Sequence, residues 1–519
     1  MWNLPAFGEE EYFCEQINKD TELLLIPNAS MDLFGRYCAS LRQDGFFEIE
    51  TFQTKRCCFA AFEKGGHGFF INFFSKTKEL QLVSECNTAY FRYADATGEL
   101  VVPSLLTQIK LTDYGLSYVV RLADGRFIVI DGGNRVDTEA DVLYDCLIEQ
   151  SISEIPVIAA WIMTHPHCDH FCCYFPFMDR HGNKVKVEKF FYNFPEPHDY
   201  AHYPKLEKEC KRFPGCTDAD VVQQFMDEVK KTGVPVYTPH TGQRYQIGNA
   251  LLRFLGTMDD TIHCSQNINA TSLIFSMEIE GQTVLWGADG SFGDARLASR
   301  YGEELSADIL QVPHHGFGCG PENATIESYR LIAPRVCLLP ASHEEAFASF
   351  TTHKESTNYL MTRQNVEEFI TGKEKRTLQL PYEPSPDGVR ELRQQYLEGR
   401  DNCGARTWIF TDLNTGRKDD FVFSMLNTTY LDAALSVELY FEGMQKKMIR
   451  TAIKAPRLGV FRVNCALDAD DDVCIFEDPA FLENRGIPAN TPFAVRFISS
   501  IPVVISHPDH KAAYHSSIV

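Results

Sequence analysis

The chain has 519 residues, of which 71 are acidic and 49 basic, so its formal net charge is −22. Hydrophobic residues make up 44% of the chain and charged residues 23%, a composition that excludes a wholly disordered or fibrous protein. Because so acidic a surface repels phosphate backbones, we expect neither nucleic acid nor a membrane surface as a partner.

The beginning of the chain and its cysteines indicate the cellular compartment in which the protein is expected. The first residues, MWNLPAFGEEEYF, lack the basic and apolar stretches of a signal peptide, and no apolar run reaches the roughly 18 residues of a membrane span. The 17 cysteines lie in apolar segments without paired spacing, as small buried residues of a reducing compartment do. We therefore expect a cytoplasmic protein.

Residues 1–103 form a predicted α+β region. Short apolar runs such as TELLLIPN, CCFAAFE and GFFINFF predict strands, and MDLFGRYCASLRQDG predicts a helix that ends near Gly45. The region carries no chemical motif. It is either a separate domain or the first sheet of the domain that follows.

Residues 104–385 alternate between strand and helix patterns, which predicts an α/β domain of stacked layers. A strand hairpin is expected at Asp124-Gly125 and a helix over 137–150. A second helix should begin at Thr217 or Asp218 and end at Gly233. Between the two helices, a polar and aromatic insertion is expected over 175–214.

The C-terminal part reads almost entirely as strands. Residues 386–404 are predicted to be a linker, and 405–519 an all-β sandwich. Apolar residues alternate from Leu435 to Phe441, the pattern of a half-buried strand. The run IPVVISH predicts a short edge strand that carries a proline.

The segment from Thr164 to His170 reads THPHCDH and follows the buried strand PVIAAWIM. It places four metal-ligand side chains within six residues. The spacing predicts that His165 and His167 share one ion and that Asp169 and His170 share a second. Imidazole and carboxylate ligands suit zinc, manganese or iron.

This HxHxDH arrangement resembles that of the metallo-β-lactamase fold of hydrolases, and the resemblance implies an αββα sandwich. It also implies roles for residues elsewhere in the domain. Asp131, in FIVIDGG, would orient the metal-binding loop without being a ligand. Asp289, in TVLWGADG, would bridge two metals. In DILQVPHHG, either His314 or His315 would be the last ligand, and side-chain alternation along a strand suggests only one of them.

A finer resemblance is to the hydrolase domain of competence-type DNA-uptake proteins, carried by NATSLIF, VLWGAD and VPHHG. The chain departs from that pattern at Ala288, inside the Gly-Asp pair, and at Phe317, where a serine is usual.

Three further histidines are candidates for the site. His263 and His240 lie where the family places another metal ligand, and in this subgroup that ligand is often missing. His353, in FTTHKEST, could contact substrate or donate a proton. The alternative for each is an exposed loop histidine.

The C-terminal module resembles the sensory rhodopsin transducer family of β-sandwiches, through segments such as LSVELYFEG and TPFAVRFISSIPVVI. The resemblance implies a closed homo-oligomer and a ligand-binding or assembly role without catalytic residues.

These features predict a hydrolase in which two divalent ions activate a water, with zinc as the first expectation and manganese or iron as alternatives. Asp169 would orient or deprotonate that water. The expected substrate is a small phosphodiester or another ester-like molecule. The alternative is a non-catalytic ligand-binding or sensor protein on a hydrolase fold.

Overall fold

The computed structural model describes residues 11–86, 95, 99, 101–112, 115–203, 206, 215–265, 267–316, 326–340, 366–372, 374–384, 405–427, 433–443, 448–455, 459–464, 467–468, 471–474 and 487–516. The chain divides into two compact units. The first comprises residues 1–315, 321–341 and 370–383, and the second comprises 316–320, 342–369 and 384–519.

The first unit begins with a six-stranded antiparallel sheet and one helix, Met31–Gln43. Ser30 caps this helix by accepting a hydrogen bond from the Leu33 amide, and Gly45 beyond its end has a positive φ of 81°. In spatial order, the strands are Phe13–Gln16, Thr21–Ile26, Glu79–Glu85, His67–Phe74, Cys57–Lys64 and Phe47–Gln53.

Two larger sheets follow in the same unit. In spatial order, the first contains Val236–Tyr237, Phe190–Phe191, Val157–Ile162, Phe127–Asp131, Ser117–Arg121, Leu105–Gln108 and Arg376–Gln379, with Lys186–Val187 pairing beside Val157–Ile162. The second contains Arg244–Ile247, Ala250–Gly256, Ile274–Ile279, Gln282–Trp286, Ile309–Gln311, Val336–Leu339 and Glu368–Thr371.

The expected insertion at 175–214 is therefore partly wrong. Its residues Phe190–Phe191 form an inner strand of the first sheet, paired in parallel with both neighbours. The aromatic character of this segment reflects burial in the core and not an excursion from the fold.

The helices that accompany the two sheets confirm most of the predicted ends. Thr217 caps Asp218–Thr232 with a reciprocal capping box, and Gly233 ends it in the left-handed conformation. The other helices of the described residues are Asp137–Gln150, Cys168–Phe171, Tyr174–His181, Asp199–His202, Met258–Ser265, Leu297–Tyr301 and Ile326–Ile332.

Side-chain alternation along the strands divides the apolar residues among separate cores. Ile128 and Ile130 of the first sheet face Phe275 and Trp286 of the second. Val129, between those two isoleucines, points to the opposite face, into a core shared with the helices and with the N-terminal sheet. The result is the αββα sandwich predicted from the sequence.

The second unit is rich in strands. One sheet contains Met448–Ala455, Ala433–Phe441, Pro492–Ser506, Ala405–Asn414 and Tyr514–Ser516, in that order. Val422–Asn427 pairs with both Gly459–Asn464 and Pro492–Ser506, and Leu467–Asp468 pairs with Asp471–Cys474.

Two sequence expectations for this unit are wrong. Ala433–Phe441 is buried at every position except Tyr440, because it is an inner strand with neighbours on both sides. IPVVISH is the end of the long inner strand Pro492–Ser506 and not an edge strand. Its proline is tolerated where the pairing with Ala405–Asn414 shifts register.

No helix among the described residues is long and apolar enough to cross a membrane.

Candidate metal centre

The ends of four strands bring the candidate ligands together. The strand Val157–Ile162 leads into the HxHxDH loop, and the parallel strand Phe127–Asp131 ends beside it. In the second sheet, Gln282–Trp286 precedes Asp289, and Ile309–Gln311 precedes the two histidines of the HHG turn. Carboxyl ends of parallel strands meet at one edge of a sheet, so residues far apart in sequence converge there.

The first group of ligand atoms comes from His165, His170 and Asp289, which lie within 4.8 Å of one another. His170 Nε2 is 3.3 Å from Asp289 Oδ1, and His165 Nε2 is 3.9 Å from Asp289 Oδ2. The His167 ring lies beside this group, 4.9 Å from the His165 ring.

The second group comes from Asp169, His170 and His315. His315 Nε2 lies 3.3 Å from Asp169 Oδ2 and 3.5 Å from Asp289 Oδ2. The loop spacing predicts two separate ligand pairs, whereas the structure places His170 in both groups and Asp289 in the first. The grouping depends on Asp289 and His315, which the loop spacing alone does not include.

Asp131 fixes the orientation of His170. Its Oδ2 accepts a hydrogen bond from His170 Nδ1 at 2.8 Å, and His170 Nε2, on the other side of the ring, lies 3.3 Å from Asp289 Oδ1. Its two oxygens also accept bonds from the Thr164 backbone amide and hydroxyl, both at 2.7 Å. Asp131 thus holds the metal-binding loop without facing the ligand cluster itself, as the family resemblance implied.

The two histidines of the HHG turn do not lie on a strand. His314 and His315 have φ values of 52° and 53°, in the left-handed region, where non-glycine residues are uncommon. Strand alternation therefore does not apply, and both rings approach Asp289, at 3.7 Å for His314 and 3.5 Å for His315. His315 is the more deeply buried of the two and is the one grouped with Asp169 and His170.

The charge of the site calls for cations. Burial lowers the pKa of His165 well below its ordinary value, so its ring is neutral. Burial opposes protonation of His170 and His315 as well, but nearby carboxylates, above all Asp289, outweigh it and raise their pKa, for His315 to about 9. Protons on these rings balance the buried carboxylates, and bound metal ions would displace them.

The donor set fits divalent metal ions. His165 Nε2 is buried and makes no hydrogen bond to a described residue, as expected of a nitrogen reserved for a ligand bond. His170 Nε2 lies 3.2 Å from His315 Nε2, so these two candidate ligand nitrogens face each other. Nitrogen and carboxylate donors at this density suit zinc, manganese or iron.

His240 is not available as a ligand. It is fully buried, with Nδ1 2.7 Å from Asp259 Oδ2 and Nε2 3.0 Å from Glu85 Oε2. Burial alone would lower the pKa of His240, but Asp259 and Glu85 outweigh it and raise the pKa to about 10. Both ring nitrogens carry protons, so this histidine joins the N-terminal sheet to the hydrolase-like domain.

His263 is also outside both ligand groups. It lies on the helix Met258–Ser265, with its ring 5.4 Å from that of Phe13. It lines a cavity of about 660 Å³ whose wall includes Tyr12 and Arg296. His353 lies outside the described residues.

The structure also adds residues to which the sequence analysis gave no role. Thr164 is one, through its two bonds to Asp131. Glu139 is another: its buried carboxylate accepts bonds from the Asn134 amide and the Thr112 hydroxyl, which holds the loop after Asp131. Asn269 contacts His314. Two of them had a sequence signal, since Thr164 stands beside the HxHxDH motif and Asn269 is the first residue of NATSLIF; the contact of Glu139 with Thr112 spans 27 positions.

Part of the first unit is similar to known proteins. Residues 112–255 match the model of the metallo-beta-lactamase superfamily. The solved structure of the metallo-beta-lactamase fold protein YhfI from Bacillus subtilis is 14% identical, with a TM-score of 0.33, over 54% of this chain and all of that chain. A beta-lactamase domain protein from Burkholderia ambifaria is 14% identical, with a TM-score of 0.25, over 45% of this chain and 64% of that one.

The C-terminal part has its own similarity. The Anabaena sensory rhodopsin transducer is 20% identical, with a TM-score of 0.15, over 20% of this chain and 95% of that protein. No curated protein matches the sequence.

The first unit thus has the architecture of a metalloprotein that gathers its ligands at one edge of a layered sandwich. Within it, residues 112–255 are similar to the metallo-β-lactamase superfamily, whose members are generally metal-dependent hydrolases.

Proposed function

We propose that this protein is a hydrolase that uses two divalent metal ions, most simply zinc, to cleave a small phosphodiester or another ester-like substrate. One observation carries the proposal: two groups of ligand atoms share His170, and Asp289 of the first group also lies 3.5 Å from His315 of the second. His165, His167 and Asp289 would hold one ion, and Asp169, His170, His315 and Asp289 the other. When bound, such ions polarise the substrate oxygen and make a coordinated water more acidic.

The protein's own residues have separate tasks in this scheme. Asp131 keeps His170 Nε2 directed into the site by holding its Nδ1. Asp169 is the most exposed of the site carboxylates, with 29% of its side chain accessible, so it is suited to accept a proton from an attacking water. Asp289, at 3% exposure, stays between the ligand groups.

A small substrate fits the surroundings better than a polyanion does. Two arginines of this unit, Arg296 and Arg253, are already paired with glutamates, Glu79 and Glu304 respectively. They do not form a phosphate clamp. The net charge of −22 opposes association with a long polyanion for the same electrostatic reason. We propose a cytoplasmic location and a homo-oligomer, the latter supported by the similarity of the C-terminal part to the transducer.

The proposal is tested by metal analysis of the purified protein together with a panel of chromogenic phosphodiester, lactone and β-lactam substrates. We expect about two metal ions per chain and hydrolysis of at least one ester-like substrate. His167→Ala should lose at least one metal and nearly all hydrolysis. The matched control is His198→Ala, which removes an exposed histidine outside the site.

The competing function is ligand binding without catalysis. A protein that binds no metal, or that binds metal and hydrolyses none of the panel while retaining a small molecule, would support that alternative. Full metal content and an unchanged rate in His167→Ala would contradict the ligand assignment.

A further inference from the structure

Asn269 contacts the metal centre from outside the expected ligand set. Its Nδ2 lies 3.3 Å from His314 Nε2, and His314 Nε2 lies 3.7 Å from Asp289 Oδ2. Because an amide nitrogen only donates, the ring nitrogen accepts in this arrangement. Asn269 therefore holds the edge of the His314 ring that faces Asp289.

The backbone around Asn269 is fixed before any ligand arrives. Its amide donates to Asn267 Oδ1 at 3.1 Å, and the next residue, Ala270, accepts a bond from the Thr261 hydroxyl at 2.6 Å. The Leu273 amide donates to the Thr164 carbonyl at 2.9 Å, which ties this segment to the HxHxDH loop. Such support preorganises a side chain at a site.

The other end of the Asn269 amide is unusual. Its Oδ1 is buried and makes no hydrogen bond to a described residue. A buried acceptor without a partner is destabilising, and such exceptions call for an explanation other than stability. The contact between Asn269 Nδ2 and His314 supplies such an explanation, because the amide orientation that makes this contact leaves Oδ1 without a partner among the described residues.

His314 is the more accessible histidine of the HHG turn. Its side chain is 16% exposed, against 4% for His315. Its backbone is constrained as well, by the left-handed φ and by a bond from its amide to the Ala288 carbonyl at 2.8 Å. A ring on the open side of the ligand cluster is placed to meet a substrate, provided that its orientation is set.

We propose that Asn269 is a positioning residue, which holds the His314 ring toward Asp289 on the open side of the metal centre without itself binding metal. The role in turnover rests on the proposed hydrolase function, whereas the contact itself does not. The two parts are therefore tested separately.

The contact is tested in the metal-free protein, by the rate at which diethyl pyrocarbonate modifies His314, followed by peptide mass spectrometry. Asn269→Ala removes the donor, and Asn269→Leu removes it while keeping the space filled. We expect His314 to react about fivefold faster in both variants, because the Nε2 lone pair is no longer engaged. Asn249→Ala, which removes a distant amide bonded to Ser104 and Glu280, should leave the rate unchanged.

An unchanged rate in both variants would overturn the contact. A faster rate in Asn269→Ala alone would overturn it as well, since that outcome reports only a greater exposure of His314.

In the metal-loaded protein, we expect Asn269→Ala to keep the wild-type metal content and chelator resistance, with kcat about tenfold lower and KM within about twofold. Loss of a metal would make Asn269 a ligand, and an unchanged kcat would exclude a role in turnover. If the wild-type protein hydrolyses no substrate, the hydrolase proposal fails, while the modification rates still decide the contact.

Discussion

The chemistry of each histidine in this protein depends on which atoms contact its two ring nitrogens. His170 gives Nδ1 to Asp131 and keeps Nε2 for the ligand cluster. His240 gives both nitrogens to carboxylates and cannot bind a metal. Burial is complete in both cases, so the partners alone separate a ligand from a structural cation.

His240 should make stability depend on pH. Its folded pKa of about 10 lies above the ordinary value of 6.5, so its stabilisation is fully present below about pH 6.5 and is lost as the pH rises toward 10. We expect the free energy of unfolding to fall over this range. His240→Gln should be less stable at neutral pH and should lack that part of the slope. Chemical denaturation at several pH values measures both, and parallel pH profiles for the two proteins would contradict the assignment.

Asp131 should matter for metal affinity. Asp131→Asn retains a residue that tolerates the φ of 54° at this position, but it weakens the hold on His170 and Thr164. We expect metal affinity to fall by about 10- to 100-fold, the usual effect of losing a partner behind a histidine ligand. Competition with a chromogenic chelator measures it. Asp32→Asn, on an exposed helix face, should bind metal as the wild type does.

At the level of elements, the N-terminal sheet packs directly against the hydrolase-like domain. The turn before Arg244–Ile247 lies on the strand His67–Phe74, where Asn72 Nδ2 donates to the Thr241 carbonyl at 2.8 Å. A Cβ on Gly242 would lie 2.3 Å from Asn72 Oδ1 and 2.4 Å from the ring of Phe59. The approach of the two elements therefore requires glycine here.

Two glycine substitutions distinguish the stability lost through this close contact from the stability lost through backbone strain. Gly242 and Gly281 both have positive φ, at 95° and 75°, but a Cβ on Gly281 meets no atom within 4 Å. We expect Gly281→Ala to cost about 1 kcal/mol and Gly242→Ala about 3 kcal/mol or more. Thermal and denaturant unfolding measure both changes. Equal losses would show that the two elements do not meet as closely as described.

At the scale of the whole molecule, the N-terminal region belongs to the first of the two compact units. Its residues Phe70 and Val83 share a core with the sandwich. Its Glu79 pairs with Arg300, a buried residue that also pairs with Asp260 at 2.5 Å. Without this region, Arg300 and His240 would each lose a carboxylate partner.

Deletion of residues 1–86 should therefore prevent the first unit from folding, since unpaired buried charges are strongly destabilising. Circular dichroism and size-exclusion chromatography should show an unfolded or aggregated product. Glu63→Ala, a substitution within the same region but away from the buried charges, serves as the control for expression and should fold. A monomeric, cooperatively melting deletion product would contradict this prediction.

Deletion of residues 405–519 should have the opposite outcome. We expect the shortened protein to keep its metals and some activity on a small substrate, and to appear as a smaller species by light scattering, because the ligand residues all precede the removed segment. A folded product without metal would mean that the C-terminal module braces the site. A full-length protein that is strictly monomeric would exclude the assembly role.

Local sequence patterns determined much of this protein. The HxHxDH spacing predicted a metal site, and the Thr217 cap and Gly233 stop fixed the ends of one helix. The motifs FIVIDGG and TVLWGADG, through the family resemblance, assigned Asp131, at the end of a strand, and Asp289, just beyond one. These features depend on neighbouring residues and on the regular geometry of helices and strands, so they can be predicted without knowledge of distant contacts.

Tertiary structure alone decided the rest. The fate of His240 depended on Glu85, which is 155 positions away in sequence, and the ring of His314 depended on Asn269. The positive φ of His314 and His315 removed the strand alternation on which the choice between them rested. Which partners reach each histidine nitrogen is set by the packing of whole sheets and not by local spacing.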